Sequence, residues 1–219
     1  MNAIQQIIGW MPALLQATGV TLALSVTSVL TALVLAVFLA LGKISKNTVL
    51  RSVCGAYIFF FRGTPLLVQI FLFYFAVPVI TGQRIDPYVA AVGSCGINSG
   101  AYVAEIIRSG IMSIDPGQME AGRSLGLNYM TTMFEIIIPQ AIRSILPALG
   151  NEFIMLLKDS SLITVIGGKE LLYAAQGIMN RTYEAMFPLF GVALIYLVLV
   201  MIFTWLLAKF ERRLAQSDR

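Results

Sequence analysis

The sequence predicts an all-α, polytopic membrane protein with about five transmembrane helices and a short cytoplasmic helix between the third and the fourth. Three observations carry that expectation. Hydrophobic residues make up 58% of the 219 positions and charged residues only 12%, where soluble domains run at roughly 45–50% and 25%. Apolar stretches of twenty or more residues recur along the chain, the length that crosses a hydrocarbon core of about 30 Å. The charges gather in the short segments between those stretches, with 15 Lys and Arg against 11 Asp and Glu. The length suits a single transmembrane domain over 1–219 with no sizeable soluble domain beside it.

The first span is read at 14–41. No charged side chain occurs in residues 1–42, and the uncharged start and long apolar run do not match a cleavable signal peptide. A basic loop with Lys43, Lys46 and Arg51 follows. The second span is read at 57–80, interrupted by Arg62-Gly63-Thr64-Pro65, with Val49 to Phe61 expected to lie along the interface. Here Arg62 can snorkel to the inner interface while glycine and proline shape a helix start. The third span, 88–112, is rich in small and polar residues. The fourth is read at 134–157 and the fifth at 185–210, with Lys209, Arg212 and Arg213 as interface anchors.

Five spans put the termini on opposite sides. With the N-terminus outside, the inner set is Lys43, Lys46, Arg51, Arg62, Arg108, Arg123, Lys209, Arg212, Arg213 and Arg219, and the outer set is Arg84, Lys169 and Arg181. Ten basic residues against three predict N-out and C-in by the excess of Lys and Arg on the cytoplasmic side. Residues 113–133 then lie in the cytoplasm and 159–184 outside.

Local chemistry predicts a helix in that cytoplasmic loop. Asp115 is a good N-cap, Pro116 suits the first helical position, and Gln118 stands three residues after the cap. Gly126 suits a left-handed residue closing a helix over about Pro116 to Leu125. Ala121 and Gly122 are small enough to allow another surface to approach.

Polar side chains inside spans are costly and therefore point to function. Asn98, Tyr102 and Glu105 follow at i, i+4 and i+7 on one helix face. Asn98 falls about 15 Å below Tyr88, near the midplane, and offers both donor and acceptor to a zwitterion. The other reading is helix packing, since Gly93, Gly96 and Gly100 make small-residue faces around it. Glu105 reads as a structural ion-pair residue nearer the cytoplasmic side, with Arg108 or a group on another helix as its partner. Glu152 and Asp159 share a face seven residues apart and need a cation or hydrogen-bond donors; a bound ammonium or an arginine would serve. Ser160 and Ser161 extend that polar end, or simply bond to the helix terminus.

Glu120-Ala121-Gly122, three residues, Gly126, nine residues, then Ile136-x-Ile138-Pro139 closely resembles the EAA loop of ABC importer permeases, E-A-A, three residues, G, nine residues, I-x-L-P. The chain departs from it at Gly122 and Ile138. The segments Phe60 to Gln69, Asn98 to Gly110 and Lys158-Asp159-Ser160-Ser161-Leu162 resemble the polar amino acid branch of type I ABC importers. That resemblance implies a five-helix permease with Glu120, Ala121, Gly122 and Gly126 contacting an ATPase. It further implies cytoplasmic ABC ATPase subunits carrying Mg-ATP, an extracytoplasmic solute-binding protein, and a second permease subunit, the same or paralogous. The substrate would be a polar amino acid, held by residues such as Asn98, Tyr102, Glu152, Asp159, Ser160 and Ser161. The location would be the bacterial inner membrane.

Several functions are disfavoured by the residues themselves. The chain has no histidine, which removes histidine triads and histidine metal sites. Gly167-Gly168-Lys169 lacks the upstream glycine and following hydroxyl of a phosphate-binding loop, so ATP hydrolysis is expected on a separate subunit and no cofactor or metal on this one. Cys54 and Cys95 read as small buried hydrophobes. The net charge of +4 fits a positive membrane face and does not call for nucleic acid. The competing reading is an ion-coupled secondary transporter or exporter, with Glu105, Glu152 and Asp159 as coupling groups.

Overall fold

The computed structural model describes residues 3–216. The ends of the expected domain, and Arg219 of the inner set, lie outside the described residues. The chain forms α1 (Ala3–Ile44), α2 (Thr48–Gly63), α3 (Leu66–Thr81), α4 (Pro87–Met112), α5 (Pro116–Ser124) and α6 (Tyr129–Thr132). A π-helical turn, Met133–Ile137, leads into α7 (Ile138–Asp159), which tightens into a 3₁₀ turn, Ser160–Ile166; α8 (Leu171–Thr182) and α9 (Met186–Gln216) complete the order.

Among the described residues, Gly9–Ile44, Tyr129–Ile166 and Met186–Leu214 are each long and apolar enough to cross a bilayer. The interruption expected within 57–80 is a break between two helices. Two helices, Thr48–Gly63 and Leu66–Thr81, meet at 108° and together qualify as a fourth crossing. Pro65 causes the break. It holds φ near −65° and cannot donate an amide, and it drives Thr64 into extended backbone at ψ 146°.

The expected third span coincides with α4, which is long enough at 26 residues but falls short on apolar character. Thus by length and composition the structure supplies three or four crossings rather than five. The physical reason is that α4 sits at the centre of the bundle. Its small residues pack against α1, α2, α3 and α7, and a helix shielded from lipid needs no apolar exterior. Gly96 lies where an added Cβ would meet Thr31 Cβ at 2.9 Å, and one at Gly100 would meet Leu35 Cδ2 at 3.0 Å. The small-residue face of α4 therefore seats α1 directly. Ala36, Ala40, Ala101 and Ala104 are fully buried in this contact. Cys54 and Cys95 are both buried.

Between α7 and α9 the chain folds as α8, which packs on α1 and α9 through Leu14, Ala17, Leu171, Ala175, Ile178 and Val192.

Candidate functional site

The loop helix is built locally. Asp115 caps it, its Oδ1 accepting from Gly117 N at 2.8 Å, and Pro116 occupies the first turn. At the far end Leu127 N donates to Gly122 O at 3.1 Å, and Gly126 closes the helix at φ +86°, a region that favours glycine. Gly122 is buried, and a Cβ there would come within 2.6 Å of Thr132 Cγ2. Glycine in place of the motif's alanine thus lets α5 lie directly on α6, where Thr132 is fully buried. Glu120 and Ala121 face outward, and Leu125 beside them is 82% exposed.

The route from this helix to the bundle is continuous. Asn128 Oδ1 caps α6 by accepting from Thr131 N at 2.9 Å. Pro139 then supplies no amide to the carbonyl four residues back, and the backbone widens into the π turn, with Ile138 N bonding Met133 O. No flexible linker separates α6 from α7.

Asn98 sits at the helix break. Its Nδ2 donates to Phe61 O and to Gln69 Oε1, each at 3.0 Å. Gln69 Nε2 donates in turn to Phe61 O and Thr64 O, also at 3.0 Å. These two amides satisfy carbonyls freed between α2 and α3, which no water would otherwise reach inside a bilayer. Gln69 was not singled out by the sequence reading, because a lone glutamine in an apolar helix gives no pattern. Tyr102 turns elsewhere, its ring 5.1 Å beneath the Arg62 guanidinium. With Lys43, Glu105 and Arg108 it lines an open cavity of about 490 Å³. Arg108 donates through both Nε and Nη2 to Glu105 Oε1, the ion pair expected for Glu105.

On α7, Glu152 is 9% exposed and its Oε1 accepts from Ser99 Oγ at 2.7 Å. Among the described residues no donor bonds Glu152 Oε2 and none bonds the Asp159 carboxylate. Two helical turns, about 10.5 Å of axis, separate the two carboxylates. Ser160 Oγ donates to Leu157 O and Ser161 Oγ to Lys158 O, both at 2.7 Å, so their protons serve the helix end while their oxygens remain acceptors. Ser99 was also missed; it is one of many small residues on α4, and only the fold aims it at Glu152. The structure therefore brings Glu152 and Asp159 onto one face of α7, ties Asn98 to the helix break, and separates Tyr102 into the cavity by Arg62.

A bundle of apolar helices around a polar central helix, with a capped helix projecting from the loop before a carboxylate-bearing helix, has the architecture of a polytopic membrane protein. Residues 32–216 match the family described as binding-protein-dependent transport system inner membrane component. The chain belongs to that family. It is 38% identical over 204 residues to the glutamine transport system permease protein GlnP of Escherichia coli K12, covering 93% of each chain. It is 41% identical over 207 residues to the arginine transport system permease protein ArtQ of Bacillus subtilis, covering 94% of each. Among solved structures, an amino acid ABC transporter crystallised with histidines matches with a TM-score of 0.92 and 42% identity, over 97% of this chain and 99% of that one. The MetNI methionine transporter in an inward-facing form shares the fold, with a TM-score of 0.79 at 21% identity over 98% and 99% of the two chains.

Proposed function

We propose that this chain is the permease subunit of an ATP-driven importer that carries a polar amino acid across the bacterial inner membrane by alternating access. The observation that carries the reading is the unbroken path from the exposed loop helix α5 through α6 and the π turn into α7. In this reading α5 docks on a cytoplasmic ABC ATPase that binds Mg-ATP. Glu120 orients the loop, Ala121 and Gly126 permit tight packing against the ATPase, and Gly122 seats α5 on α6. Closure of the ATPase pair moves α5, and α7 moves with it because α5 packs on α6 at Gly122 and Thr132 and the helix runs from α6 through the π turn into α7.

A second permease copy or paralogue forms the other half, and an extracytoplasmic solute-binding protein delivers the amino acid. The N-terminus lies outside and the C-terminus in the cytoplasm, and α4 supplies a fifth crossing at the centre of the bundle. Glu152 and Asp159 offer unfilled oxygens to an ammonium or guanidinium, which favours a basic or neutral amino acid. Ser160 and Ser161 oxygens, Asn98 and Tyr102 complete the set of candidate contacts. The relatives that transport glutamine and arginine support ATP-driven import over the ion-coupled alternative.

Purification of the tagged protein from native membranes in mild detergent, with mass spectrometry of what accompanies it, tests the assembly. A stoichiometric ATPase is the expected companion. Recovery of the permease alone, with no ATPase crosslinked to it in intact membranes, would remove the coupling role.

A further inference from the structure

Glu170 is a fully buried carboxylate that the transport reading does not use. It lies at the N-terminus of α8. Its Oε1 accepts from Tyr173 N at 2.8 Å and from the Thr164 hydroxyl, and its Oε2 accepts from the Tyr196 hydroxyl at 2.7 Å. Thr21 Oγ1 accepts from Leu171 N at 3.1 Å, across 150 residues of sequence. One carboxylate thus joins α8, the Ser160–Ile166 turn and α9, with α1 at its edge.

A helix cap alone does not require this arrangement. Serine, threonine, aspartate or asparagine caps more effectively from a shorter side chain. Burying a carboxylate is costly unless every oxygen is bonded. Here the second oxygen leaves α8 altogether and reaches α9, while the first holds the turn that starts immediately after Asp159. That turn carries Ser160, whose hydroxyl bonds back into the last turn of α7.

We infer that Glu170 is a positioning residue for the substrate site: through Thr164 and Tyr196 it fixes the turn Ser160–Ile166 and so sets where Asp159 presents its carboxylate. The inference rests on the proposed reading of Asp159 as a substrate contact. Glu170→Gln keeps an oxygen for Thr164 and Tyr173 but replaces the acceptor facing Tyr196 with an amide. Tyr196→Phe cuts the same link from the other side without touching Glu170.

The test is ATP-driven uptake by the whole transporter in proteoliposomes, with the maximal rate and KM measured separately over a panel of polar amino acids. Each variant is expected to raise KM about three- to tenfold, the equivalent of one ordinary hydrogen bond, with the maximal rate within about twofold. The double variant should be no worse than the worse single one, because both break one link. An unchanged KM at wild-type membrane levels, or an unchanged KM with a reduced maximal rate, would overturn the positioning role while leaving the transport reading intact. A wild-type complex that imports none of the panel overturns the transport reading, and the inference with it. If Glu170→Gln fails to reach the membrane, Tyr196→Phe alone decides by the same criteria.

Discussion

Replacing Gly126 separates two contributions that are usually mixed. Its φ is +86°, and nothing lies within 4 Å of where a Cβ would stand. An L-residue at positive φ costs about 1–2 kcal/mol, a factor of about 5–30 in the local equilibrium. Alanine and leucine incur that same strain, and within this chain neither collides with anything. The permease alone should therefore show melting temperatures for Gly126→Ala and Gly126→Leu that agree within about 2 °C. Their behaviour should diverge only when the ATPase is present, since leucine projects a bulky group next to Leu125 from the exposed end of α5. ATPase retention on the purified permease, titrated by pull-down, should be weakened by alanine no more than the strain allows. For leucine it should fall at least about tenfold further, about 1.4 kcal/mol of lost packing. Leucine and alanine variants that retain the ATPase equally and import at equal rates would refute the docking role of this turn.

Four further outcomes follow from the geometry. Glu152→Gln keeps an acceptor for Ser99 but removes the charge, so KM for a cationic substrate should rise about tenfold, because bonds to charged groups exceed neutral ones by roughly that margin; uptake kinetics across substrates of different charge check it. At Gly110 an added methyl would overlap Ile145 Cγ1 and stand 2.9 Å from Cδ1, so Gly110→Ala should destabilise by about 1–3 kcal/mol, seen as a lower melting temperature and partly restored by Ile145→Val. Glu105→Gln breaks an ion pair whose side chains are 27% and 26% exposed, and the melting temperature should move by no more than about 4 °C, since such pairs contribute at most about 1 kcal/mol. An impermeant thiol reagent applied to intact cells stripped of their outer envelope should label Arg84→Cys and spare Lys46→Cys; the reverse pattern would invert the proposed topology.

How much of this was legible depended on how local each determinant is. The loop helix was readable because Asp115, Pro116 and Gly126 act within a few residues of themselves. The break at Gly63 to Pro65 was readable as an interruption, but its 108° angle was not, because the bend is held by Gln69 and by Asn98 from a helix 37 residues away. The face shared by Asn98, Tyr102 and Glu105 followed from helical spacing, yet the fold ties Asn98 to the break between α2 and α3 while Tyr102 and Glu105 line the cavity by Arg62. Helix α8 was hidden for a related reason. Its start is stabilised by Glu170, an uncommon cap, and by Thr21 from the other end of the chain. Hydropathy ranks α4 below the other long helices, since a centrally buried helix carries packing residues where a lipid-facing one carries apolar bulk.

The most direct test of ATP-driven import is substrate uptake by the purified permease reconstituted with its ATPase in proteoliposomes, with ATP trapped on the ATPase side and the solute-binding protein on the other. Accumulation of a polar amino acid that requires ATP and persists with a protonophore is the expected result. Accumulation that ignores ATP and collapses with the protonophore would contradict it and assign Glu105, Glu152 and Asp159 to ion coupling.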